Sequence, residues 1–308
     1  KTLLGHGNVR DQLGHEMHKT AGNSIEFIGA ANDGYVIDFE LKDGAPQPAV
    51  DALLKLKPDT KDVGKLLKEA VVVEDAADYP VLERVLKTAL GSEVVEKERR
   101  GEKFKALRAS YAPMAADVIR WVYCRQEPAA NIRFGPITAD EVRSKVIFKL
   151  WNTYSMFCEY ANGDKFDPAA EQVPVAERQD VDRWLLSKLQ ALATAAHEAY
   201  RSYNVMDFAL ACETFIEADL SNWWVRLNKP RLHSKAAELD TAGLKDKQAA
   251  YQTLYATLTT LCKLMAPCVP FVTEAMWRNL RLSSDPESVH LCDFPAADEA
   301  LKDAALSD

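Results

Sequence analysis

No stretch of this 308-residue chain approaches the roughly twenty uninterrupted apolar residues that a membrane span requires, so no spanning segment is expected. No secretory leader is recognisable either, and a cytoplasmic protein without a membrane partner is expected. The six cysteines, at positions 124, 158, 212, 262, 268 and 292, show no C-x-x-C and no Cys/His zinc spacing. Most lie in apolar helical patterns, which predicts buried reduced thiols and no metal site. Positive charge is not in excess: 38 Lys and Arg against 46 Asp and Glu give a net charge of −8. That excludes a surface coating nucleic acid in general, so any RNA contact must come from a local basic face. An initial methionine is also missing, and Lys1 reads as the middle of a domain, so a fragment is expected.

What is present is ordinary for a soluble protein, with 47% apolar and 27% charged residues and length enough for two domains. The most telling stretch is Gly14-His15-Glu16-Met17-His18-Lys19-Thr20-Ala21-Gly22-Asn23. A lysine among small and polar residues suits a loop that carries one compact, strongly hydrated charge to a ligand phosphate. Phosphoryl and nucleotidyl transfer depend on placing such charge where negative charge accumulates, which makes Lys19 the candidate catalytic residue.

HEMHKTAGN resembles the mobile-loop signature of class I aminoacyl-tRNA synthetases, written KMSKS, which in the isoleucyl branch often reads like EMHKSKGN. On this match Met17, Lys19 and Thr20 take the second, fourth and fifth places, and Glu16 stands where many members carry the first lysine. One of two phosphate-facing charges is thereby absent, with His18 the nearest substitute. The resemblance implies ATP contacts from Met17, His18, Lys19, Thr20 and Asn23. The run Gly5-His6-Gly7-Asn8-Val9-Arg10-Asp11 before the loop is similar to the family's GHG-x-V-x-D and reads as a strand feeding a turn.

Residues 31–112 interrupt the pattern, because the family passes from loop to next block in about a dozen residues and roughly seventy more stand here. Alternation at 34–41 predicts a strand, helical spacing follows at Val50, Leu53, Leu54 and Leu56, residues 71–73 read as a strand, and 81–90 as a helix. The charged run 97–108 reads as a solvated face or flexible arm, with an RNA-touching patch as the alternative. The whole is an α/β insertion of no assigned role.

The family pattern resumes at Met114-Ala115-Ala116-Asp117-Val118-Ile119-Arg120-Trp121, similar to MGADVxRW with Ala115 in place of the usual glycine. Pro128-Ala129-Ala130-Asn131-Ile132-Arg133-Phe134-Gly135 resembles PANNINFG. Beyond Thr138 the chain reads as helical, with one buried stripe through Val142, Val146, Leu150, Tyr154, Phe157 and Ala161. Leu150-Trp151-Asn152-Thr153-Tyr154-Ser155 resembles LWNxYSFF. An acidic linker to Glu177 precedes a second helix; Asn204 is placed to cap a third, a fourth is predicted over 247–265, and Pro270 starts a fifth. His290 is expected in a strand-like packing segment, and the stretch from Ala296 reads as the start of a further element.

Asp219-Leu220-Ser221-Asn222-Trp223-Trp224-Val225-Arg226 resembles the family's DLSNWYVR. Arg226, Lys229, Arg231 and Lys235 follow; positive charge at a helix C-terminus is favourable in itself, and the density makes this cluster the candidate for phosphate-backbone contact, with Trp223 placed to stack on unpaired bases. Arg143 and Lys149 are further candidates for RNA contact.

Taken together the resemblance implies a mainly α fold. It comprises the end of a Rossmann-type catalytic domain with the lysine loop (1–30), the α/β insertion (31–112), a connecting helix and loop (113–137), a helical anticodon-binding domain (138–295) and a tail (296–308). The implied activity is ATP-dependent charging of tRNA(Ile) with isoleucine through an adenylate, with Mg²⁺ accompanying ATP. A monomer is expected. The family's HIGH motif, amino-acid pocket and editing domain are not found here and are expected upstream. The rival readings are a non-catalytic tRNA-binding paralogue and an interaction scaffold.

Overall fold

The computed structural model describes residues 7–18, 23–57 and 59–306. The chain divides into two units, Lys1–Glu141 and Val142–Asp308.

In the first unit, β1 (Val9–Arg10) lies parallel to a strand more than a hundred residues away, Ile132–Arg133, in the register Val9↔Ile132. The approach is close: a Cβ on Gly7 would sit 2.0 Å from the Ala130 carbonyl oxygen, so only glycine fits there. Short α1 (Phe27–Asn32) leads into β2 (Tyr35–Glu40). The helices α2 (Gln47–Leu54), α3 (Val63–Ala70) and α4 (Tyr79–Lys87) follow, then the hairpin β3 (Gly91–Arg99) and β4 (Glu102–Tyr111). The sheet is wholly antiparallel in the order β2-β4-β3. Tyr35, Ile37 and Phe39 of β2, with Leu107, Ala109 and Tyr111 of β4, turn one face onto Leu53, Val63, Leu67 and Val85 of the helices. Burying each such side chain fully contributes about 1.5–3 kcal/mol, which is what holds this small module together.

Three expectations change here. Residues 97–108 are no flexible arm but the ordered hairpin, turning at Arg100 and Gly101, both with positive φ (55° and 87°) as a two-residue turn of matching twist demands. Residues 71–73 do not form a strand; Val71 makes a single antiparallel bridge to Leu41. Helix α3 was not predicted, although Val63, Leu66, Leu67 and Ala70 have the spacing of a buried stripe. After the module, α5 (Ala116–Cys124) buries Trp121 completely. Its N-cap, Ala115, has φ 70° and ψ 144°, a conformation suited to glycine. The last strand of this unit, β5 (Ile132–Arg133), runs into α6 (Pro136–Val142).

The second unit is helical. A π-helical turn, Arg143–Ile147, continues into α7 (Phe148–Gly163), followed by α8 (Asp180–Arg201) and α9 (Val205–Thr214). A second π-helical run, Phe215–Val225, then passes without a break into α10 (Arg226–His233), and α11 (Thr241–Met265) and α12 (Pro270–Leu280) complete the set. The predicted stripe, from Val142 through Val146 of the π-helical turn to Ala161 of α7, is buried throughout. Leu185, Leu189 and Ala196 of α8 and Leu254, Leu258, Leu261 and Met265 of α11 are buried with it in the core.

Elsewhere the details depart from expectation. Helix α11 begins at Thr241 because Asp240 caps it, Oδ1 accepting from Gly243 N at 2.8 Å. Asn204 sits at the N-cap of α9, but its side chain donates to Asp207 Oδ2 (2.6 Å) instead of capping. The acidic linker is packed, with Val173 N donating to Gln252 Oε1 and buried Arg178 donating to Val173 O and Thr253 Oγ1. His290 lies in a 3₁₀ turn, Val289–Leu291, not a strand. The stretch after Ala296 makes 3₁₀ turns beside α8, where Gln190 Oε1 accepts from Asp298 N and Ser187 Oγ from Asp303 N. Among the described residues no helix is long and apolar enough to cross a membrane.

Candidate functional site

Lys19 and Thr20 lie outside the described residues; the segments on either side of them form a hydrogen-bonded stem. Asp11 organises it: Oδ1 accepts from Leu13 N and His15 N (both 2.9 Å), an Asx-type turn. Asn23 fastens the other side. Its Nδ2 donates to Asp11 Oδ2 (2.8 Å) and Glu16 O (3.0 Å), while Oδ1 accepts from His18 N (3.0 Å). Every polar atom of this amide is engaged, so Asn23, expected to face ATP, holds the stem instead. Glu16 pairs at 3.8 Å with Arg10 Nη2 and at 3.6 Å with His18 Nε2. The acidic residue in the motif's first place therefore stands between two basic groups. Met17 is half-buried in the same stem.

The second group of predicted residues separates into two classes. Trp224 is fully buried, and its Nε1 donates to Asp182 Oδ1 at 3.0 Å. Its neighbour Trp223 is 55% exposed. One turn on, Arg226 and Leu227 are exposed, then Lys229 and Pro230, then His233. Residues at these intervals share one face of a helix, so an aromatic ring, an apolar stripe and two cations lie side by side. Arg226, Lys229, Pro230, His233 and Ser234 line an open hollow of about 450 Å³. His233 packs edge-on against Tyr160 of α7, with ring centroids 5.4 Å apart. His233 and Leu227 were missed in the sequence because charge was counted there and helical spacing was not.

Arg231 does not belong to this face, which corrects its assignment as an RNA contact. Its guanidinium forks onto buried Asp182 (3.1 and 2.9 Å) and onto Asp246 (Nε–Oδ2 2.9 Å, Nη2–Oδ1 2.6 Å), with Asn228 Oδ1 as a further acceptor. Burial lowers the basicity of Arg231, but the hydrogen bonds and charges of Asp182 and Asp246 outweigh it and the net shift is upward. A guanidinium so occupied braces α8, α10 and α11. Lys149 is similarly engaged, 2.6 Å from Glu217 Oε1, and joins α7 to the π-helical run. Lys235 meets Glu238 at 3.3 Å. Arg143 is half-buried in the first π-helical turn, away from the exposed stripe just described in sequence and element. In the π-helical run burial pushes the half-buried Asp219 carboxyl up, partly offset by Lys188.

Residues 182–307 match the family described as the anticodon-binding domain of tRNA ligase. The isoleucine--tRNA ligase of Thermus thermophilus is 41% identical over 195 residues, covering 62% of this chain and 18% of that protein. That of Dehalococcoides mccartyi is 38% identical over 220 residues, 68% and 21% respectively, and that of Cytophaga hutchinsonii 40% over 196 residues, 62% and 17%. The chain thus spans about a fifth of the length of these curated relatives. A LeuRS from Agrobacterium radiobacter K84, solved as a ternary complex with tRNA and LeuAMS, aligns with a TM-score of 0.44 and 16% identity over 62% of this chain and 20% of that one. Residues 182–307 are thus similar to the anticodon-binding domain of tRNA ligase, and the chain is similar over about two thirds of its length to the isoleucine--tRNA ligases.

Proposed function

We propose that this chain supplies the RNA-gripping helical domain and the ATP-facing lysine loop of an isoleucine-tRNA ligase. The observation that carries the proposal is the exposed Trp223, Arg226, Leu227 and Lys229 face within a domain matched to anticodon binding. Trp223 offers a π-face on which an unpaired base stacks, and Arg226 and Lys229 meet the phosphates on either side. The reaction would be activation of isoleucine by ATP to an adenylate, then transfer to tRNA(Ile). In it Lys19 would stabilise charge on the phosphates, worth about 3 kcal/mol by analogy with removal of other single donors. Mg²⁺ would accompany the nucleotide phosphates.

The test is a gel shift of the chain with tRNA(Ile) over a range of salt. Binding that weakens with salt, and that Arg226→Ala with Lys229→Ala reduces, supports the reading; binding indifferent to both contradicts it. Isoleucine-dependent ATP–pyrophosphate exchange by the chain alone is expected to be absent. A second reading, a tRNA-binding paralogue that does no chemistry, is favoured by Glu16 in the motif's first place. It predicts that the whole protein does not charge tRNA(Ile), and that Glu16→Lys and Lys19→Ala leave its tRNA binding unchanged.

A further inference from the structure

Helix α10 ends at His233, whose exposed imidazole shares one hollow with Arg226 and Lys229. At about 100° per residue these three positions fall within a sector of about 60°, and a rise of about 1.5 Å per residue sets them along about 10.5 Å of the helix. They form one line. This is the carbonyl end of the helix, where the macrodipole favours cations and repels anions. An RNA phosphate in the hollow therefore depends on side-chain cations that outweigh that end. The ring of Tyr160 on α7 packs against His233 with centroids 5.4 Å apart and planes 70° apart. Lys247 of α11 donates to the adjoining Ser234 carbonyl. The carboxylates Asp164, Asp246 and Glu238 are taken by Lys247, Arg231 and Lys235 respectively. Among the described residues no hydrogen bond or ion pair occupies the His233 ring nitrogens.

We propose that His233 is a third phosphate contact of the α10 face, made when its imidazole is protonated, so that RNA binding takes up a proton. The inference rests on the tRNA reading and adds a regulation to it. Histidine is the side chain whose charge ordinarily changes between pH 5 and 8. Neutral, the ring brings one N–H donor and no charge to the hollow; protonated, both nitrogens donate and three cations stand against the helix end. The proton comes from solvent and returns to it when the RNA leaves. Acidification should therefore tighten binding and add one phosphate contact to its salt dependence.

The experiment is titration of the chain with tRNA(Ile) over a range of salt, at about pH 6.0 and about pH 8.5, for the natural chain, His233→Gln and His233→Lys. The natural chain is expected to bind about fivefold more tightly at the lower pH, with a log–log salt slope steeper by about 0.7–0.9. His233→Gln should show the shallow slope at both pH values, and His233→Lys, whose charge is fixed, the steep slope at both. The other histidines titrate alike in all three proteins, so the difference between them isolates His233. Salt-dependent binding with one slope at both pH values in the natural chain would overturn the inference and leave the tRNA reading standing. A pH dependence that survives His233→Gln would overturn it as well, by assigning the proton elsewhere. Binding indifferent to salt at both pH values would overturn the reading and the inference together.

Discussion

Two basic runs, 97–108 and 226–235, look alike in the sequence and end in opposite situations. In the first, the hairpin brings Lys97 and Arg108 onto one carboxylate from a neighbouring strand: Lys97 Nζ lies 2.6 Å from Asp38 Oδ2, and Arg108 forks onto both Asp38 oxygens at 2.8 and 3.0 Å. Arg99 pairs with Glu40 at 2.9 Å. In the second, only Arg231 is taken inward, while Arg226 and Lys229 stay on the surface beside Trp223. The number of cations along a stretch does not decide whether they can meet a phosphate. What decides it is whether the fold delivers carboxylates from elsewhere in the chain to neutralise them.

The sharpest way to break this comparison is at its inward members. Arg231→Ala strands the fully buried Asp182 without its cation and should destabilise the helical unit by about 3–5 kcal/mol, read by urea unfolding followed through tryptophan fluorescence. A loss below about 1 kcal/mol would show that Arg231 is a surface cation after all. Asp38→Ala should cost the first unit about 2 kcal/mol, less because Arg108 and Lys97 keep partial access to water.

The same site gives a pH dependence with a definite sign. Burial alone would raise the Asp38 carboxyl, but the hydrogen bonds and charges of Arg108 and Lys97 win and hold it below its ordinary value. A carboxyl depressed on folding stabilises fully above its unfolded value near 3.9 and loses that contribution as pH falls through the folded value. The stability difference between the natural chain and Asp38→Asn should therefore be constant from about pH 5 upward and shrink below about pH 4. A difference that grew on acidification would refute the pairing.

A smaller effect is expected where the family pattern is broken. Ala115 occupies a glycine-like conformation, so Ala115→Gly should stabilise the first unit by about 1 kcal/mol in the same unfolding assay. Smallest of all, Arg226→Ala with Lys229→Ala should change stability by less than about 0.5 kcal/mol, because both side chains are exposed.

The helical unit was largely legible because its elements announce themselves through near neighbours. Leu150, Tyr154 and Phe157 recur at one helix period, and Pro270 marks a helix start without reference to anything distant. The insertion was only half legible for the opposite reason. Strands β3 and β4 are dominated by Glu, Lys and Arg on the face away from the helices, and the partner that places β4 at the centre of the sheet, β2, lies tens of residues away. Polar atoms drawn into the core are the least visible: Asp182, at 0% exposure, looks like any helix-start acid until Trp224 and Arg231 close on it. At the loop stem the residue types were right, but the role of Asn23 depends on a side-chain bond to Asp11 that spacing does not reveal.

The central claim is that the outward cations of α10, and not those of the hairpin, meet RNA. The direct measurement is the slope of log binding constant against log salt for tRNA(Ile), compared between the natural chain, Arg226→Ala with Lys229→Ala, and Lys97→Ala with Arg99→Ala, whose cations are paired with Asp38 and Glu40. Each phosphate contact removed should flatten the slope by about 0.7–0.9, so the α10 pair should reduce it by about 1.5 while the hairpin pair leaves it unchanged. Equal flattening by both pairs, or flattening by the hairpin pair alone, would contradict the account.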